Sequence, residues 1–120
     1  MAKEPPIYEG EVLSILAYEF SSADQAQSER KIKRRLRDKH LGPYDPGRIS
    51  ALRAFKEDVR RELGQYDKSE FYTQPHGKYA EMQDWDVPRL AEAMKERHPD
   101  LPETAINGFL PFAILLYYLK

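Results

Sequence analysis

The chain contains no cysteine. Disulfides, thiolate nucleophiles and cysteine-ligated zinc are therefore excluded, and the composition suits a reducing compartment. Glycine is scarce at six residues, and none of the six sits in a Gly-rich phosphate loop. The histidines are only His40, His76 and His98. No His-Glu-x-x-His pair and no Gly-x-Ser-x-Gly elbow occurs, so neither a zinc protease site nor a serine hydrolase site is expected. The longest apolar run, Phe109 to Leu119, is eleven residues and includes Pro111. That is shorter than the roughly 20 residues a membrane span needs. The first ten residues, MAKEPPIYEG, lack a basic start followed by an apolar stretch, so no secretory leader is expected and a cytoplasmic location follows.

Aliphatic side chains are also thin. Leu, Ile, Val and Phe together make 26 of 120 residues, just above the range associated with disorder. A single domain of this length must therefore draw on its eight Tyr, five Phe and one Trp for its core.

What the chain does have is charge, unevenly placed. The formal net charge is −1. Residues 1–29 hold one Lys and six acids, residues 30–61 hold twelve basic and four acidic residues, and residues 62–103 hold five basic and ten acidic ones. A basic middle thus lies between two acidic flanks. Its densest part is ERKIKRRLRDKH, Glu29 to His40, with seven Lys or Arg in twelve positions.

Hydrophobic spacing predicts a mostly α (α+β) domain over 7–120, preceded by a flexible arm over 1–6. The domain has five to six helices and one β-hairpin after the third helix. Val12/Leu13, Leu16 and Phe20 give a first helix over 7–20. Ser22, with Gln25 at the capping-box position, predicts a second helix over 23–39. In that helix Ile32 and Leu36 form a narrow seam, and Arg30, Lys33, Arg34 and Arg37 cluster within roughly 100° of arc nearly opposite it. Asp45 and Pro46 predict the start of a third helix, with Ile49, Leu52, Phe55, Val59 and Leu63 on one face and Gly64 at its end. Phe71-Tyr72-Thr73 and Tyr79-Ala80-Glu81-Met82, flanking Gln74-Pro75-His76-Gly77, read as a hairpin near 70–82. Asp86 predicts a cap for a fourth helix over 87–97. Asp100-Leu101-Pro102-Glu103 predicts a short helix to about Gly108. Pro111 then starts a last helix, apolar on nearly every side, fit for the core or for a homodimer seam.

Two helices, a third amphipathic helix and a hairpin follow the order of a winged helix-turn-helix, with the third helix in the major groove and the hairpin as wing. In that arrangement Arg53, Lys56, Arg60 and Arg61 would face the groove, and His76 and Lys78 would tip the wing. Glu57, Asp58 and Glu62 on the same helix count against it, since they repel phosphates.

The candidate binding residues are Arg30, Lys31, Lys33, Arg34, Arg35, Arg37, Arg53, Arg60 and Lys78. Cations at this density repel one another, and a polyanion relieves that repulsion. A solvated face, or one paired with the acidic flanks of the same chain, competes with that reading. His40 and His98 close helices, where the dipole favours a cation. Asp84, Asp86 and His76 could surround a metal, but capping already accounts for Asp86. No catalytic residues, metal or cofactor are expected. The expectation is a small non-enzymatic regulator or adaptor, with nucleic acid favoured as partner. The alternative is a protein-binding module of inhibitor or immunity type that meets an acidic protein surface through complementary charge.

Overall fold

The structure is a computed structural model, and it describes residues 7–20, 24–65, 68–72 and 85–119. Five α-helices are found among these residues. Helix α1 (Tyr8–Leu16) tightens into a 3-10 turn over Ala17–Phe20. Its buried residues, Tyr8, Val12, Leu13, Ile15 and Leu16, show why the 3.6 period predicted a helix here. Glu9 and Glu11 in the first turn complement the helix dipole.

Helix α2 spans Gln25–Asp38. Its cap is Asp24, not Ser22. The Asp24 carboxylate accepts from the Gln27 backbone N–H at 2.8 Å, and the Gln27 side chain accepts from the Asp24 N–H at 3.2 Å. This reciprocal box satisfies two donors at once, which a serine two residues earlier with Gln25 could not do for this start. At the other end His40 takes a left-handed backbone, φ 53°. It lets Leu41 N–H reach the Leu36 carbonyl at 3.0 Å and His40 N–H reach Arg37 at 3.2 Å. This is a Schellman closure with histidine in the position glycine usually fills. Only Ser28, Ile32 and Leu36 are buried in α2, so the seam is as narrow as its sequence implied.

Helix α3 spans Pro46–Gln65. The Asp45 carboxylate accepts from Gly47 N–H at 3.0 Å and from Arg48 N–H at 3.2 Å, and Pro46 occupies the first turn, where its missing donor costs nothing. Ile49, Leu52, Phe55, Val59 and Leu63 are all buried, as their spacing predicted. Gly64 does not end the helix, which runs one residue further. Helix α4 spans Val87–Arg97 and is capped by the Asp86 carboxylate, which accepts from Arg89 N–H at 3.2 Å.

Two expectations are overturned. The β-hairpin is not present: among the described residues there is no strand, and Tyr72 meets Trp85 only in an isolated antiparallel bridge. Asp86 N–H donates to the Phe71 carbonyl at 2.8 Å, and the Tyr72 and Trp85 rings meet edge to face at 5.3 Å. Phe71 and Tyr72 therefore read as β-favouring because they pack against the start of α4, not because they pair in a ladder. The second expected strand, Tyr79 to Met82, and its loop lie outside the described residues. With no strand to make a wing, the winged-helix order goes as well, and the mostly helical class stands alone.

The second correction is at the C-terminal end. The short helix and the last helix are one element, α5 (Glu103–Leu119), with Pro111 inside it. Ala105, Ile106, Phe109, Leu110, Ala113, Ile114 and Leu116 are buried along it. Burial of that stripe on both sides of Pro111 outweighs the roughly 3 kcal/mol an interior proline costs. Helix α5 packs on α1, the 3-10 turn, α4 and α3, and α1 packs in turn on α2 and α3. The core lies where α1, α3 and α5 meet, with Phe55 tilted against Phe109 at 5.1 Å. The apolar face of α5 is thus used within the chain, and among its described side chains Leu115 is a large apolar one left outside, 43% exposed.

Ile114→Ala, at a fully buried site, should lower unfolding free energy in urea by about 2–5 kcal/mol. His40→Gly removes a side chain from a left-handed position and should raise it by about 1 kcal/mol; a loss of stability would mean the His40 side chain contributes a contact beyond the closure.

Candidate functional site

The predicted cations divide into two populations. The first is turned inward. Arg53 on α3 donates to both Glu19 oxygens at 3.2 and 3.1 Å and to Glu29 of α2 at 2.6 Å. Lys56, one turn on, donates to Glu19 at 2.5 Å and lies 3.2 Å from Glu57. The Tyr44 hydroxyl donates to the other Glu29 oxygen at 2.5 Å. The Lys56 and Glu19 side chains are only 6% and 9% exposed. The 3-10 turn, α2, the connector and α3 are thus tied by one ionic cluster.

Its titration follows from that geometry. Burial alone would raise the Glu19 carboxyl, but the Lys56 hydrogen bond and the Lys56 and Arg53 charges hold it below its ordinary value. Glu29 behaves alike: burial opposes ionisation, and the bonds from Tyr44 and Arg53 overcome it. The hydrogen bond to ionised Glu29, with burial, pushes the Tyr44 phenol up to about 12. Burial opposes the Arg53 charge, yet the two carboxylates raise its affinity for the proton further.

Arg35 is committed within the chain as well. It donates to Glu11 of α1 at 2.6 Å, and Lys39 lies 3.4 Å from the same carboxylate. Arg48, outside the predicted set, bonds Glu9 and stacks over the Tyr8 ring at 3.7 Å. The Tyr8 hydroxyl donates to the Pro43 carbonyl at 3.2 Å and accepts from Asp45 N–H at 3.0 Å, which anchors the α2–α3 connector.

The second population faces outward on α2. Arg30, Lys31, Lys33, Arg34 and Arg37 are all exposed. Among the described residues Arg30, Lys31 and Arg34 make no ion pair. Lys33 lies over the Tyr44 ring at 5.2 Å. Arg37 is 3.4 Å from Asp38 with its side chain 77% exposed, a contact of the kind that contributes little. Arg60 is exposed on α3 and lies 3.8 Å from Glu57, and Arg61 lies 3.6 Å from Asp58. Neither adds a free cation to the α2 face. Lys78 and His76 lie outside the described residues. So does Asp84, and among the described residues no group of three metal-ligating side chains comes together.

A further cluster was not legible in the chain. Asp58 meets His98 at 2.9 Å and Arg97 at 3.1 Å, Arg97 also reaches Glu62 at 3.3 Å, and the Ser69 hydroxyl donates to Glu62 at 2.8 Å. It joins α3 to α4 and to 68–72. His98 is therefore a partner of Asp58 as well as a helix terminus. These partners are separated by 35–40 residues for His98 and Arg97, so no local pattern announces them.

Among the described residues no helix is long and apolar enough to cross a membrane. A groove of about 350 Å³ runs between α1 and α5, lined by Ile7, Leu13, Ala105, Phe109 and Phe112 among others, and among the described residues Glu11 is the ionisable group that borders it. Compared with protein-family models, with curated proteins and with solved structures, the chain matches none.

Removing Glu19 leaves the buried Lys56 and the partly buried Arg53 short of an anion, so Glu19→Ala should cost about 3 kcal/mol or more in chemical denaturation. An apolar pair, Glu19→Leu with Lys56→Met, should cost less than that single change. Because the folded-state pKa values of Glu19 and Glu29 are depressed, the unfolded chain binds protons first as pH falls. Their stabilisation is full above the ordinary carboxyl value of 4.5 and is lost as pH drops through the folded values. Glu19→Gln should flatten that acid slope. Tyr44, raised from 10.0 to about 12, works in the opposite direction: its contribution is full below the unfolded value and disappears as pH climbs through the folded one, and Tyr44→Phe should abolish that alkaline loss.

Proposed function

We propose that this chain is a small non-catalytic docking protein whose exposed α2 face binds the phosphate backbone of nucleic acid. One observation carries the reading: Arg30, Lys31 and Arg34 stand in solvent on one helix with no carboxylate of the described chain against them, and Lys33 and Arg37 extend the same face. The chain has carboxylates in excess, and it places them elsewhere. Glu11, Glu19 and Glu29 neutralise Arg35, Lys39, Arg53 and Lys56, while the outer face of α2 is left for an external anion. Phosphates suit it because each contact releases a condensed counterion, which no exposed carboxylate of a folded protein surface does as fully.

On this reading the role is that of an adaptor or regulator. An acidic protein surface is the competing partner, and the salt response separates the two. Each cation that engages a duplex phosphate should add about −0.9 to the logarithmic salt slope, so the slope should lie between about −1.8 for two contacts and about −4.5 for all five, a fall in affinity of roughly 12-fold to roughly 500-fold between about 50 and 200 mM salt. Arg30→Glu combined with Arg34→Glu should remove binding in fluorescence anisotropy while leaving the thermal melt unchanged. Free DNA and RNA probes at about 50 mM salt, with the folded protein in excess, would exclude the nucleic-acid partner.

A further inference from the structure

We infer that the α2 face is built for the major groove of B-form duplex DNA, not for a single strand or an RNA duplex. This rests on the phosphate-binding reading above and says which nucleic acid that surface accepts. The arrangement of cations around the helix carries it. With Arg30 placed at zero and about 100° per residue, Arg34 lies near +40° and Arg37 near −20°, forming a central arginine row. Lys31 lies near +100° and Lys33 near −60°. The two lysines thus flank the row on opposite sides, about 160° apart.

All five side chains are exposed, and the helix is buried only through Ser28, Ile32 and Leu36 on its back. The half-cylinder that faces solvent is therefore cationic at its crest and on both shoulders. An α-helix with its side chains is about 10–12 Å across, and the B-form major groove is about 12 Å wide. A helix seated there has a phosphate wall on each side, and Lys31 and Lys33 occupy the two shoulders that would face the walls, Lys33 leaving the Tyr44 ring to reach its own. The arginine row, about 10 Å from Arg30 to Arg37 along the axis, points at the floor, where arginine is the commonest partner of guanine edges.

A single strand offers one backbone and cannot meet both shoulders together. Proteins that hold single strands add aromatic platforms for the bases, and α2 (Gln25–Asp38) contains no aromatic residue. Tyr44 in the connector has Lys33 over its ring and its hydroxyl held by Glu29. The RNA duplex is excluded by shape, because its major groove is deep and too narrow for side chains to read. Asp38 is the one acid on the exposed arc, and it sits at the helix end beside Arg37.

The test compares three labelled probes by fluorescence anisotropy on the full chain: a DNA duplex of about 20 base pairs, two turns, one of its strands alone, and an RNA duplex of equal length. The expected result is a DNA duplex bound at least tenfold tighter than either alternative. Lys31→Glu and Lys33→Glu, made separately at exposed positions, should each weaken duplex binding at least fivefold, with thermal melts verifying that both variants fold. A single strand or RNA duplex bound as tightly as the DNA duplex would overturn the groove geometry while leaving phosphate binding intact. So would one shoulder lysine proving dispensable while the other is needed, since the helix would then lie along one strand. No binding to any probe overturns this inference and the phosphate reading together.

Discussion

The Lys56–Glu19 pair, extended by Arg53 and Glu29, ties consecutive elements of the chain together: the Lys56 and Glu19 side chains are 6% and 9% exposed, and Arg53 and Glu29 are partly buried beside them. A buried ion is tolerable only when its partner is buried with it. Here a 3-10 turn supplies one carboxylate, α2 the other, and α3 both cations. The cluster therefore decides how three consecutive elements sit. Tyr44 extends it into the α2–α3 connector through Glu29. Tyr8 ties the same connector from the other side, at Pro43 and Asp45.

The position of α2 follows from that cluster. Its apolar seam is two aliphatic residues, Ile32 and Leu36, with Ser28, which is little area to define a rotation. Glu29 to Arg53 on one edge and Arg35 to Glu11 on the other set it instead. Between those two edges the remaining cations have only one direction left, outward. The acidic first segment of the chain is thus the reason the basic face is exposed: its carboxylates pin the edges of α2 without covering the crest.

Local rules were legible to the extent that local interactions dominate. The five-residue apolar face of α3 and the Asp45 and Asp86 caps depend on contacts within four residues, and each is where its spacing implied. At the start of α2, Ser22 and Asp24 are both capping residue types, and only the reciprocal bond with Gln27 makes Asp24 the cap. Pro111 and Gly108 look like a break, and nothing nearby says otherwise. The helix continues because Ile106, Leu110 and Ile114 are all fully buried by other elements. β-favouring residues around 71–82 suggest a hairpin, but Phe71 and Trp85 satisfy that preference as buried packing residues beside α4. Among the candidate binding residues, Arg30, Lys31, Lys33, Arg34 and Arg37 could be placed outward from helical period alone. Arg53 could not be placed inward, since its carboxylates lie 24 and 34 residues away.

The amino-acid order by itself determined that this chain is helical, where three of its helices begin, and that cations crowd one side of α2. Those properties arise from backbone donors, capping side chains and a 3.6-residue repeat, all of which act over one turn. Which cations remain for a partner was decided only in three dimensions. Pairing a charge depends on what is within about 4 Å in space, and carboxylates from α1, the 3-10 turn and α2 reach some of these cations but not others.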